Sequence, residues 1–164
     1  MKVLITGPES SGKSYLARHL AWCLDGIFVA EQARAYLNAR EGRYTAEDLP
    51  LMWEAQRKAE DEAVASGASY VICDTGPEVI QVWSQVKYGA VDPSVLEATR
   101  SRHYDTVLLC MPDLPWEPDP LREAPNFEDR MMLFGHYRTL FPKAYVVNGQ
   151  DRVRQSLSIV CAQL

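Results

Sequence analysis

Apolar residues fall along this chain in two alternating patterns. Short unbroken runs at Val3-Leu4-Ile5, Ile27-Phe28-Val29, Tyr70-Val71-Ile72-Cys73, within 105–111 and at Ala144-Tyr145-Val146-Val147 have the character of strands buried on both faces. Between them, apolar positions recur at three- and four-residue spacing, as in Leu16, Leu20, Cys23 and Leu24, which is the mark of a helix resting on a sheet. The expected helices cover 13–24, 32–40, 45–66, 78–87, 93–102, 127–140 and 152–162. Thr45 is expected to cap the third of these, with Met52, Ala55, Ala59 and Ala63 facing inward and Glu54 paired with Lys58 outside; Asn126 is expected to cap the sixth. Gly26 and Gly67 stop the helices that precede them. Strands that alternate with helices imply an α/β fold, a five-stranded parallel sheet with right-handed crossovers and helices on both faces. Ligands in such a fold bind beyond the C-terminal edge of the strands.

The turn after the first run reads Gly7-Pro8-Glu9-Ser10-Ser11-Gly12-Lys13-Ser14, a complete phosphate-binding loop between a strand and a helix. Its successive backbone N–H groups, including those of Glu9, Ser10 and Ser11, are suited to wrap a β-phosphate, with Tyr15 next in line at the helix start. Lys13 is placed for the β- and γ-phosphate oxygens, Ser14 offers a hydroxyl to Mg²⁺, and the helix N-terminus adds partial positive charge. The implied cofactors are ATP and Mg²⁺, in a P-loop NTPase fold.

Mg²⁺ on a nucleotide needs a second anchor, and Asp74, closing the third apolar run, is the candidate; a helix cap would also explain it. Glu31 closes the second run at the equivalent edge. There it would accept a proton from an attacking hydroxyl, or else pair with Arg34 one turn on.

Pro112, Pro115, Pro118, Pro120 and Pro125 exclude regular helix from residues 112–125, and the segment reads as a lid that keeps water from the site. Arg122 or Arg130 is placed to stabilise charge on a transferring phosphoryl group. Trp116 would stack on a flat ring, or staple the loop to the body.

The segments Gly7–Ser14, Val29–Leu37, Asp74-Thr75, Trp83–Gly89 and Pro115–Arg122 together resemble the bacterial ribosylnicotinamide kinase domain family, over most of the chain. The resemblance implies a P-loop kinase that moves the γ-phosphate of ATP to the 5′-hydroxyl of nicotinamide riboside, a step of NAD synthesis. It also implies that Trp116, Asp119 and Arg122 belong to the substrate and lid region, with Glu31 and Arg34 near the acceptor. Two departures stand out. The family often has Asp-Thr-Asp where this chain has Asp74-Thr75-Gly76, and Pro120 replaces a family Gly before Leu121-Arg122. A regulatory ATPase that phosphorylates no metabolite is the alternative reading.

With 164 residues, 47% of them hydrophobic and 24% charged, the chain is expected to form one domain, residues 1–164. A net charge of −5 and the lack of a basic run exclude a nucleic-acid footprint, and no apolar stretch is long enough for a membrane span. Because the first strand starts at Lys2, the expected location is the cytoplasm. Cys23, Cys73, Cys110 and Cys161 lack metal-ligand spacing and are expected as buried thiols. Oligomeric state is not encoded in any pattern here.

Overall fold

A computed structural model describes residues 1–163. The apolar runs form strands β1 (Lys2–Thr6), β2 (Ile27–Val29), β3 (Val71–Asp74), β4 (Thr106–Cys110) and β5 (Tyr145–Val147). The periodic segments form helices α1 (Lys13–Cys23), α2 (Gln32–Asn38), α3 (Asp48–Ala65), α4 (Pro77–Tyr88), α5 (Pro93–Ser101), α6 (Phe127–Leu140) and α7 (Arg152–Cys161). All ladders are parallel, in the order β2-β3-β1-β4-β5. The chain thus leaves β1 for β2 on one side and later crosses to β4 on the other. The crevice created where the direction reverses lies at the end of β1, where the phosphate loop begins.

Strand residues alternate between two cores because neighbouring side chains point to opposite faces. Val3, Ile5, Ile72, Leu108 and Cys110 pack with Leu16, Leu20 and Val160 of α1 and α7. Leu4, Val71 and Cys73 face Ala63 of α3, while Leu109 packs with Val82 of α4 and Phe134 of α6. Helices therefore cover both faces, as the alternation of strands and helices requires.

Several local expectations give way. Helix α3 opens at Asp48, whose carboxylate takes the Thr45 N–H at 2.8 Å and the Thr45 hydroxyl at 3.2 Å, so Thr45 belongs to a turn instead of a cap. Its buried face carries Trp53, Gln56 and Glu60 beside Met52 and Ala63, because the buried polar groups find partners that the apolar pattern cannot show. Glu54 pairs with Arg57, and Lys58 reaches Glu62 at 3.9 Å. Asn126 occupies the N-cap of α6 but spends its amide on Asp129 at 3.1 Å. Cys73 and Cys110 are buried; Cys23 and Cys161 are exposed. Among the described residues no helix is long and apolar enough to cross a membrane.

Candidate active site

Gly7 leaves β1 with φ 133°, and a Cβ there would stand 2.6 Å from the Cys110 carbonyl oxygen, so the turn into the phosphate loop needs a residue without a side chain. The loop folds on itself: Lys13 Nζ and Ser11 Oγ both donate to the Pro8 carbonyl at 2.7 Å. Gly12 precedes α1 in the left-handed region, and Leu16 N–H closes the first helical bond on its carbonyl at 3.0 Å. Gly7, Glu9, Ser10, Ser11, Gly12, Lys13, Ser14 and Tyr15 all border a cavity of about 960 Å³. Tyr15 is exposed at its mouth and stacked on His19.

Strands β2 and β3 pair up to Val29 and Cys73, so Asp74 comes one residue and Glu31 two residues past the last ladder pair, near enough for the Asp74 charge to act on Glu31. Glu31 is the N-cap residue of α2, yet its carboxylate makes no capping bond; it borders the cavity beside Lys13. Burial first and Asp74 second push the Glu31 carboxyl above its ordinary value, against the pull of Lys13 and Arg34. Arg34 is committed elsewhere, to Asp119 at 2.8 Å. Asp74 is buried, with Oδ1 making no hydrogen bond; burial raises its carboxyl, and Ser14, Lys13, Arg18 and Arg34 oppose the rise. An unpartnered buried carboxylate oxygen beside a hydroxyl offers the hard oxygen donors that a divalent cation takes, so Ser14 and Asp74 fit Mg²⁺.

The packing around residue 76 bears on the departure from the Asp-Thr-Asp pattern. Thr75 sits at φ 70°, rare for a β-branched residue, and Gly76 packs so closely that a Cβ would overlap the Tyr104 hydroxyl and stand 2.7 Å from Glu78 Oε2. An aspartate at 76 would require the Tyr104 and Glu78 side chains to shift. Glu78 instead accepts the Gly76 N–H at 3.1 Å from within the core.

The proline-rich segment lies against the phosphate loop. Glu9 accepts the N–H groups of Glu123 and Ala124 at 3.0 and 2.9 Å, and Ser10 Oγ accepts that of Glu117 at 3.0 Å. Arg122 reaches Ser10 Oγ at 3.5 Å, donates to the Glu117 carbonyl and borders the cavity. Asp119 is tied to Arg34 and to the Leu121 N–H and borders a smaller hollow of about 350 Å³.

Besides the buried Asp74 and the Arg34-bound Asp119, two expected site residues lie outside the main cavity's lining. Trp116 is outside the main cavity's lining and has Arg122 of the lid and Arg130 of α6 against its ring at 5.7 and 5.6 Å. Arg130 is likewise outside that lining: it is buried, and donates to the Leu114 carbonyl at 3.4 Å instead of meeting the phosphate loop. Among the aromatics that border the cavity are Tyr15, Tyr137 of α6 and Trp83 of α4, the last set edge-on to Tyr44 at 4.8 Å.

Three further residues carry the site without a motif of their own. Arg152, buried at the start of α7, donates to the carbonyls of Ser11, Gly149 and Met111 and pairs with Asp113. Asp113 also takes the Gly149 N–H at 2.7 Å. Gln56 joins the segments that follow β2 and β3, accepting from the Gln32 N–H and donating to the Thr75 carbonyl. The signal in each case was a polar residue where the helical period expects an apolar one, or a carboxylate just past a strand.

A family described as an AAA domain matches residues 2–145. The chain belongs to that family. The chain shares its fold with a NadR protein in complex with NR, at TM-score 0.78 and 20% identity over 99% of this chain and 50% of that one. A NadR structure in complex with NAD and AMP-PNP aligns at TM-score 0.71 and 21% identity, over 99% of this chain and 49% of that one. Deoxyadenosine kinase from M.mycoides with bound dATP aligns at TM-score 0.58 and 13% identity, over 98% and 99% of the two chains. The chain therefore spans about half the length of the NadR chains. No curated protein matches the sequence. The fold is that of the P-loop kinases, as the sequence resemblance implies.

Proposed function

We propose that this protein transfers the γ-phosphate of ATP to the hydroxyl of a nucleoside-like small molecule, with nicotinamide riboside the leading acceptor. The observation that carries the proposal is the place of Glu31: a carboxylate free of cap and ion pair, beside Lys13, on the wall of a cavity that runs from the phosphate loop to Trp83. A nucleotide-binding switch has no use for an unpaired base facing an aromatic-walled chamber; an alcohol kinase needs both. The fold shared with a NadR protein holding NR and with a deoxyadenosine kinase supports an acceptor of this class.

In this reading the loop amides and Lys13 hold the triphosphate, and Ser14 and Asp74 hold Mg²⁺. Bound there, the ion would supply positive charge that offsets the charge of the phosphates. Glu31 takes the proton as the acceptor oxygen forms its bond to the γ-phosphorus, and the bond from that phosphorus to the bridging oxygen breaks to leave ADP. Arg122 supplies a cation to the phosphoryl oxygens from the lid, whose closure keeps water from competing with the acceptor.

The test is ADP release against a panel of nucleosides. Wild type is expected to release ADP only with an acceptor, Lys13→Ala to abolish release, and Glu31→Gln to lower kcat by about 10²-fold. Full-rate turnover without any acceptor would overturn the reading in favour of a regulatory ATPase.

A further inference from the structure

The pairing of β2 with β3 ends at Val29 and Cys73, and the two carboxylates of the proposed reaction stand beyond it, Asp74 still paired to Ile5 of β1 and Glu31 on the turn after β2. One buried amide spans the gap. Gln56 of α3, 4% exposed, accepts the N–H of Gln32 at 2.9 Å through Oε1 and donates from Nε2 to the carbonyl of Thr75 at 3.2 Å. Gln32 follows Glu31 directly and Thr75 follows Asp74 directly.

The surroundings of this amide sharpen its role. Thr75 holds a left-handed backbone that a β-branched residue seldom adopts, and it is fastened from both sides: its N–H to the Ile5 carbonyl at 3.0 Å and its carbonyl to Gln56. Gln32 in turn spends its own side-chain amide on the Ala30 carbonyl at 2.9 Å, which stiffens the turn that carries Glu31. A helix interior facing a sheet would ordinarily present an aliphatic residue at this position. Only a side chain with a donor and an acceptor on one planar group can close both bonds at once.

Resting on the kinase reading above, we propose that Gln56 is a positioning residue that fixes the separation of Glu31 and Asp74, replacing the backbone ladder where the strands end. It touches neither nucleotide nor acceptor and acts through those two carboxylates. Rate in a positioned reaction falls steeply with small displacements, so the residue matters to turnover more than to nucleotide capture.

The experiment combines kinetics and amide exchange on the full chain. Gln56→Met keeps the length and loses both bonds; Gln56→Glu keeps the acceptor for Gln32 and serves if the Met variant does not fold. Gln56→Met is expected to lower kcat about tenfold or more while calorimetric Mg-ATP affinity changes less than about threefold, and Gln56→Glu to fall between it and wild type. In a Glu31→Gln background the same substitution is expected to cost less than about twofold, whereas a merely structural role would lower both backgrounds alike and overturn the proposal. Exchange by NMR at the Gln32 amide is expected to accelerate at least tenfold in Gln56→Met. Unchanged exchange there overturns the proposal with or without turnover, while wild type that phosphorylates no nucleoside counts against the kinase reading alone.

Discussion

Arg152 donates to the carbonyl of Ser11 at 2.9 Å, so the last helix holds the phosphate loop from behind. The same guanidinium reaches Met111 after β4, Gly149 after β5 and the carboxylate of Asp113. A planar five-donor group is needed to serve acceptors in so many directions, which a lysine ammonium cannot do. Arg152→Lys is expected to raise the KM for ATP about tenfold and to lower the melting temperature by roughly 5 °C or more, with kcat at saturating ATP within about threefold of wild type. Unchanged ATP affinity in steady-state kinetics would show that the loop holds its shape alone.

Glu9 ties the lid to the phosphate loop through two backbone N–H groups. Glu9→Ala removes both bonds and is expected to let water reach the γ-phosphate. ADP release without acceptor should then rise several-fold while transfer to the acceptor falls, measured side by side in a coupled assay. A fall in both rates together would mean that Glu9 serves the nucleotide and not the lid.

Trp116 was expected either to stack on a flat ring or to staple the loop, and it is Trp83, not Trp116, that borders the cavity. Loss of an aromatic contact is worth about 0.5–1.5 kcal/mol beyond area, so Trp83→Ala is expected to raise the acceptor KM by roughly tenfold. Trp116→Ala should leave that KM within about twofold and lower kcat, because Arg122 loses the ring against which it lies. The reverse pattern would return the acceptor to the lid.

Glu78 is fully buried, and burial pushes its carboxyl up to about 7, opposed by the Thr6 hydroxyl and the Gly76 N–H. A folded-state value above the unfolded one means that the protonated form favours folding. The contribution is complete below the ordinary Glu value of 4.5 and is lost as pH rises to about 7. Wild type should therefore lose on the order of 1–3 kcal/mol from this group between pH 4.5 and 8. Glu78→Gln is expected to flatten the difference in melting temperature between pH 5 and pH 8, and an unaltered difference would assign it to other groups.

Much of the site was readable because its parts are contiguous. The phosphate loop occupies eight successive residues, and Glu31 and Asp74 each follow an apolar run that ends where a parallel strand must end. Whether Glu31 pairs with Arg34 could not be read, since the partner that Arg34 takes, Asp119, is 85 residues away. Burial of Gln56 and Glu60 on α3 was hidden for the same reason. A polar residue breaks the apolar period, and only its distant partners make burial favourable.

By itself, the order of residues determined what is local: the alternation of strand and helix, the glycine-bearing turn that cradles phosphate, and the carboxylates at two strand ends, because backbone geometry and side-chain period act over a few positions. Tertiary structure decided the order β2-β3-β1-β4-β5 that sets Glu31 beside Asp74. It also decided which tryptophan borders the cavity, and the reach of Arg152 and Gln56 across the sheet edge. Those outcomes depend on packing and hydrogen bonds between residues far apart in the chain, whose energies exist only once the layers have closed on one another.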